Sequence, residues 1–451
     1  MNLVLVNPVT KDRTRVLRVE RCQQKVLSAV GFWPPITLLE IAAKIKDLGK
    51  VAVIDGEAEG LSFNALVEKV ISESPDLVVI QSCVPTIEDD ILFSSLLKER
   101  IPNLKTVFIG LAATTMAEWL LKHETVDYSI LGEPQDTVRD LLEYISGGKI
   151  GQSDIPGLGH KCKGQVFINR RRPQADNYDY SDFPDRALLD NTKYRLSLAN
   201  RQFTVIKVSR GCDFSCSFCT SGAYYGKGWK SRSVENIIQE IRQVKSRQGI
   251  DKFLFLSDTF NARKEFVKKL TAGIISEKLD IQWVSNSRLD LLDEESVSLM
   301  KKSGCLLISL GIESFDEDIL RKNKKFIRLE DIDNGINLLN KYGILTYGYF
   351  ILGLEGESRK SIWSTIIKAV SSKLDFAAFY SLTPYPGTEY YEKYTNKNWK
   401  GYFHGISNIV TYEYLSSAEI MAYRYMALFL FYMRPRRLLL LIRYLFKRKL
   451  V

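Results

Sequence analysis

The apolar positions of the first third of the chain fall into short continuous runs separated by stretches of helical spacing. MNLVLVNP reads as a strand ending in a turn, and ITLLEIAAKIKDLG as a helix that stops at Gly49. The alternation continues through VAVID (strand), FNALVEKVISES (helix, ended by Pro75), PDLVVIQS (strand), EDDILFSSLLKERI (helix) and KTVFIG (strand). TTMAEWLLKH (helix), VDYSILG (strand) and DTVRDLLEYISG (helix) complete it. Strands alternating with helices of this length predict an open, doubly wound, Rossmann-like parallel sheet over residues 1–148. Such sheets bind ligands at the carboxyl ends of their strands, which singles out the loops VIDGEAEG, QSCVPT, GLAATT and LGEPQ.

From 149 to 195 the pattern lapses into Gly, Pro, Asp and Asn with a weak hairpin signal in GHKCKGQVFINRR. This stretch reads as a structured linker, and its Cys162 as an unreactive thiol. Over 196–405 the alternation resumes with TVIKVSRG and runs through FLFLSD, IQWVSNSR, LLISLGIES, LTYGYFILG and FAAFYSLTPYP. About six β/α units predict a barrel or partial barrel with its functional residues at the carboxyl ends of the strands.

Residues 406–451 form a helical segment of another kind. It has no acid after Glu419, and its bases are Arg424, Arg434, Arg436, Arg437, Arg443, Lys447, Arg448 and Lys449. Its apolar runs fall short of the roughly 20 residues of a membrane span. Two readings stand side by side: a basic, aromatic, leucine-rich stretch lying in a membrane interface, or terminal helices packed on the barrel with solvated bases.

At 451 residues the chain exceeds one ordinary core, so two or three domains are expected. Hydrophobic content of 45% and charged content of 26% match a soluble globular protein. No secretory pattern opens the sequence, so the expected location is the reducing cytoplasm, where a disulfide framework is disfavoured. Of seven cysteines, Cys212, Cys216 and Cys219 crowd into RGCDFSCSFC, directly after the first barrel strand. A structural zinc site needs a fourth ligand, and His123, His160 and His404 are isolated. A cubane cluster on three thiolates remains, with one iron open to an outside ligand.

CDFSCSFC matches the CxxxCx(aromatic)C signature and resembles the radical S-adenosylmethionine (SAM) enzymes. With a doubly wound domain ahead of it, the chain is similar to their cobalamin-binding subgroup over about residues 1–400. The resemblance implies a 4Fe-4S cluster on Cys212, Cys216 and Cys219 whose open iron chelates SAM, cleaved by one electron to a 5′-deoxyadenosyl radical. Phe218 corresponds to an aromatic near the adenine, or packs over the cluster. Asp258 in LSDTF, Asn286 and Arg288 in WVSNSR, Glu313 in LGIES and Gly353 in GYFILGLEGES match the elements that surround SAM in the family. Asp258 suits a helix cap equally, and Arg288 a structural ion pair. TPYPGTEYY is expected as a turn closing the barrel.

Cobalamin domains that place a histidine on cobalt carry Asp-x-His-x-x-Gly after the second strand. Here the match is Asp55-Gly56-Glu57-Ala58-Glu59-Gly60, with Glu57 in the histidine position. A carboxylate is a poor substitute for imidazole on cobalt. The resemblance then implies cobalamin bound without a protein histidine. Ser82, Pro85, Thr86, Gly110 and Gly132 lie in the loops that would cradle its nucleotide tail.

The implied activity is modification of an unactivated carbon, foremost C-methylation of a lipid, isoprenoid, tetrapyrrole or other natural product. Oxidative cyclisation or another rearrangement is the alternative within the class. Methylthiolation fits poorly, because the first domain offers only Cys22 and Cys83 for a second cluster. A non-catalytic iron–sulfur or cobalamin sensor is the alternative outside it. The implied partners are a small-molecule or lipid substrate and a flavodoxin- or ferredoxin-like electron donor, with the chain cytoplasmic or peripheral at the inner face of a membrane. No nucleic-acid module accompanies the net charge of +10, and no nucleic acid is expected.

Overall fold

The computed structural model describes residues 1–21, 32–175, 177–196, 201–394 and 415–447. Cys22, His404, Arg448 and Lys449 lie outside the described residues. The first sheet holds β1 (Asn2–Asn7), β2 (Lys50–Asp55), β3 (Leu77–Gln81), β4 (Lys105–Ile109) and β5 (Tyr128–Ile130), all parallel. Continuous Val/Ile/Leu runs such as LVVIQ suit strands buried on both faces by flanking helices. The hairpin signal in the linker corresponds to β6 (Leu158–Cys162) and β7 (Gln165–Ile168), which extend this sheet antiparallel. The spatial order β2-β1-β3-β4-β5-β6-β7 reverses direction at β1. The loops after β1 and β3 therefore open a crevice at the switch point.

A short antiparallel pair, β8 (Arg195–Leu196) and β9 (Arg201–Gln202), leads into the second sheet. That sheet begins with β10 (Thr204–Lys207), and a second short pair, β11 (Ser209–Arg210) and β12 (Lys230–Ser231), brackets the three-cysteine loop. The remaining strands are β13 (Lys252–Leu256), β14 (Gln282–Ser287), β15 (Cys305–Glu313), β16 (Leu345–Leu352) and β17 (Phe376–Ser381). They follow β10 in sequence order, all parallel, as a six-stranded open barrel. One apolar core joins the sheets: Leu254, Leu256, Val284, Leu307 and Phe376 of the barrel cluster with Leu3, Leu5, Val79 and Val107 of the first sheet.

The edge strand β17 is covered by the helix Ser417–Tyr432. Tyr432 Oη donates to Ala377 O at 2.9 Å and accepts from Ala377 N at 3.2 Å, and Arg424 Nε donates to Phe379 O at 2.8 Å. An open edge is thereby closed to other strands. The helix Pro435–Lys447 follows, and its buried Arg437 donates to Val370 O at 2.8 Å, Ser372 O at 2.6 Å and Leu374 O at 3.0 Å. Those carbonyls end the helix Arg359–Ser371 and the turn after it, a natural place for a cation. Among the described residues, no helix is long and apolar enough to cross a membrane.

Candidate active site between the two sheets

Cys212, Cys216 and Cys219 occupy the loop after β10 and β11. Gly211 turns the chain into it at φ +70°, and any Cβ there would collide with the carbonyl oxygen of Gly228. Only glycine tolerates that combination. Cys212 Sγ lies 3.4 Å from Thr259 Oγ1 on the loop after β13, and Ser221 N donates to Cys219 Sγ at 3.5 Å. Burial pushes the Cys216 thiol up to about 11 and raises that of Cys219. Lys325 and Arg288 pull Cys216 back, and Arg21 does the same for Cys219. Three cations from separate elements thus face one loop of thiols and offset part of the cost that burial sets on the thiolates. Among the described residues, no three His, Cys, Asp or Glu side chains form a group for a single metal ion. A cubane places each thiolate on its own iron, around a space and not on one point.

The other barrel residues picked out by the sequence line the same carboxyl ends. Asp258 accepts from Ser221 Oγ at 2.6 Å and forms an ion pair with Arg21, which reaches over from the first domain. Asn286 Nδ2 donates to Ser257 O at 3.4 Å. Arg288 forks onto Asp290 at 3.0 and 2.9 Å and stacks on Phe214 at 3.7 Å, so its guanidinium is engaged in an ion pair. Glu313 ends β15 at φ +68°, beside a register shift, and pairs with the buried Lys325 at 3.1 Å. A non-glycine residue held there marks a backbone constrained by its surroundings. Phe218 packs with Ile319, Leu354, Leu382 and Tyr390. That brings it beside the loop of Gly353, whose N–H, with that of Leu354, donates to Glu357 at 2.6 and 3.1 Å. Burial raises the Glu357 carboxyl to about 8.

In the first domain, Asp55 caps the single turn Gly56–Glu59, accepting from Ala58 N at 3.3 Å. It also receives Asn7 Nδ2 at 2.8 Å and Tyr194 Oη at 2.7 Å, and Gly60 ends the turn left-handed. Asp55 and Gly60 therefore have structural work irrespective of a ligand. Glu57 is buried against Arg18 and faces a pocket lined by Asn7, Val16, Val19, Trp33 and Pro35. Ser82 and Thr86 donate to Asp90 at 2.8 and 2.9 Å, and Pro85 opens the turn Val84–Thr86 between them. Gly110, at φ +102°, lies so close to Ser82 O that a Cβ would not fit. Gly132 abuts Arg171.

Several buried polar atoms beside these strand ends have no hydrogen-bond partner: Arg18 Nε and Nη2, Asn7 Oδ1 and Gln81 Oε1. Such orphans are costly, and a ligand rimmed with amides would satisfy both donors and acceptors. The described histidines lie elsewhere: His123 against Trp119 and His160 on β6 against Phe167. The strand-end chemistry therefore fits a corrin held by its periphery.

The sequence reading passes over the loop after β1, which proves central. Arg18 lies wholly buried 3.4 Å from Asp90, Glu20 pairs with the barrel's Lys207, and Arg21 pairs with Asp258. RVLRVER follows the first strand of a doubly wound sheet, at the switch point, and that position was the available signal. TPYPG makes the expected turn, Thr388 N donating to Tyr385 O at 3.1 Å, and it also reaches the first domain: Tyr385 is buried in that domain's core, and Gly387 fits against Thr115 and Ala223.

Known proteins agree with this arrangement. The profile described as the Radical SAM superfamily matches residues 206–369. An uncharacterized methyltransferase of Pyrococcus horikoshii is 30% identical over 446 residues, covering 97% of this chain and 94% of the relative. An anaerobic magnesium-protoporphyrin IX monomethyl ester cyclase of Rubrivivax gelatinosus is 26% identical over 376 residues, 81% of this chain and 67% of that one. Among solved structures, the radical SAM methyltransferase TsrM of Kitasatospora setae, with cobalamin and a 4Fe-4S cluster bound, superposes with a TM-score of 0.68. Its identity is 18%, covering 86% of this chain and 73% of that one, so the likeness is one of fold. This chain is an enzyme of the radical SAM superfamily, with the domain order of its cobalamin-binding branch.

Proposed function

We propose that this enzyme cleaves SAM reductively at a 4Fe-4S cluster on Cys212, Cys216 and Cys219 and methylates an unactivated carbon, with cobalamin held by the first domain. The observation that carries the reading is the meeting of the thiol loop with the strand ends of the first sheet, joined by Arg21 and Asp258. When bound, the cofactors supply an electron, a hydrogen-abstracting radical and a methyl group. The chain supplies position and shelter. Phe218, Leu354, Leu382 and Tyr390 form an apolar wall that excludes water. Lys325 orients Glu313, Ser221 orients Asp258, and Glu357 fixes the backbone at Gly353. Phe218, Asp258, Asn286, Arg288, Glu313 and Gly353 are the residues we assign to SAM. We assign to cobalamin Asp55 and Glu57, which line the pocket beside Arg18, together with Gly60, Ser82, Pro85, Thr86, Gly110 and Gly132 of the neighbouring loops. The substrate is a small apolar molecule of the lipid, isoprenoid or tetrapyrrole kind, and the electron comes from a flavodoxin- or ferredoxin-like protein.

Anaerobically reconstituted protein given SAM and dithionite should release 5′-deoxyadenosine and bind added cobalamin with a base-off spectrum. Alanine at Cys212, Cys216 or Cys219 should abolish both the nucleoside and the cluster absorbance near ~400 nm. A normal cluster in all three variants, or no nucleoside from clustered wild type, would overturn the reading. Oxidative cyclisation is the second reading, favoured by the 26% identity to the cyclase. Product mass separates them: methylation adds one methyl unit, and cyclisation removes hydrogen.

A further inference from the structure

The helices Ser417–Tyr432 and Pro435–Lys447 are both packed and exposed. Their inner faces bury Ile420, Ala427 and Phe431 in the barrel core and set Arg437 on the carbonyls described above. Their outer faces carry large apolar side chains in the open. Tyr425, Phe429 and Met433 follow one another at four-residue steps, with Phe429 63% exposed, and Leu439 continues the surface on the next helix. Trp363 and Ile367, exposed one turn apart on the helix Arg359–Ser371, extend it onto the barrel itself. The Trp363 ring lies 6.3 Å from that of Tyr423, so the helices share one surface. Single exposed apolar residues are ordinary, but a cluster over three adjacent helices marks an interaction face.

Charge selects the partner. The segment after Glu419 carries eight bases and no acid, which leaves the rest of the chain within two charges of neutrality. Arg434 is exposed directly beside Met433, and the exposed Arg436 also reaches Asp375 at 2.9 Å, while Arg424 and Arg437 are turned onto backbone carbonyls. A second copy docked through this face would bring like charges together. An acidic protein groove would pair the bases but would need to match a surface spread over three helices. We propose that this face rests in the interface of an anionic lipid bilayer, its aromatic and aliphatic side chains among the acyl chain ends and its arginines at the headgroups. The attachment is peripheral, and it stands independently of the reaction proposed above.

The test is flotation of the full-length protein with vesicles of phosphatidylcholine, alone or mixed with phosphatidylglycerol. Bases near an anionic surface are attracted to it, so the mixed vesicles should bind at least about tenfold more tightly, and added salt should reverse the gain. Phe429→Ser combined with Leu439→Ser should weaken binding about tenfold and leave the thermal midpoint unchanged, since both side chains are exposed. Wild type that stays unbound with anionic vesicles, or a double variant that floats like wild type, would overturn the proposal. So would a concentration-dependent dimer that the double variant abolishes without any vesicle binding, because the face would then belong to a second copy.

Discussion

Glu57, which takes the histidine place in the Asp-x-His-x-x-Gly pattern that residues 55–60 otherwise match, lies in the surroundings of a neutral group. Burial raises its carboxyl to about 7, against the pull of Arg18, a hydrogen bond from Val16 N at 3.4 Å notwithstanding. The folded value lies above the ordinary 4.5, so on raising the pH the unfolded chain gives up its proton first. Stability from this residue is therefore complete below about pH 4.5 and is lost as the pH climbs towards 7. One pKa unit corresponds to about 1.4 kcal/mol, which makes the loss on the order of 3 kcal/mol. Glu57→Gln, unable to ionise, should remove that part of the slope and raise the thermal midpoint at pH 8 relative to wild type. Parallel midpoint curves for the two proteins between pH 4.5 and 8 would mean that Glu57 is ionised in the folded chain.

The helix Ser417–Tyr432 illustrates how an element acquires a purpose that its own pattern hides. Its apolar residues circle it almost evenly, because one side packs on β17 and the other is open. Tyr432 bonds both the N–H and the C=O of Ala377, and Phe in its place would strand two backbone groups on an edge strand. Tyr432→Phe should cost about 1–3 kcal/mol in urea unfolding and expose the Ala377 amide to hydrogen exchange. Unchanged stability and protection would mean that solvent serves this edge. Elements with unbroken apolar runs were legible from the sequence: LVVIQ became β3, LLISLGIE lies in β15, and the thiol spacing marked its loop. The β6–β7 hairpin showed its turn residues but not the sheet it joins, because antiparallel pairing with β5 is set by residues about 30 positions away. Lys325 and Glu357 were missed for a similar reason. A lysine among RKNKK looks like a solvated surface, and only the folded chain turns it towards Glu313 and Cys216.

The two domains are held together by charge as well as by apolar packing. Lys207, on the first barrel strand, is fully buried between Glu20 and Glu40 of the first domain, the latter at 2.7 Å. Arg210 meets Glu133 at 2.5 Å and stacks on Tyr178 at 4.1 Å, while Tyr180 Oη donates to Glu40. These contacts join residues from the loop after β1, the first helix, the loop after β5 and the linker. They leave no local trace in the sequence. Glu20 is also the immediate neighbour of Arg21, so the lysine that anchors the loop indirectly aims the arginine at Asp258 and the thiol loop. The net stability of such a network is small, because desolvation offsets attraction, but breaking it on one side leaves buried charge unpaired. Lys207→Met should therefore destabilise the protein by about 3–5 kcal/mol, with Glu20 and Glu40 left facing each other. Combining it with Glu20→Gln and Glu40→Gln should recover most of that loss in calorimetry, since no buried charge then lacks a partner and Tyr180 Oη keeps an acceptor. The recovered protein should still release less 5′-deoxyadenosine than wild type, because Arg21 has lost the anchor beside it. Full stability of Lys207→Met alone would show that water reaches this interface, and wild-type turnover in the triple variant would show that the loop after β1 holds Arg21 without help from the barrel.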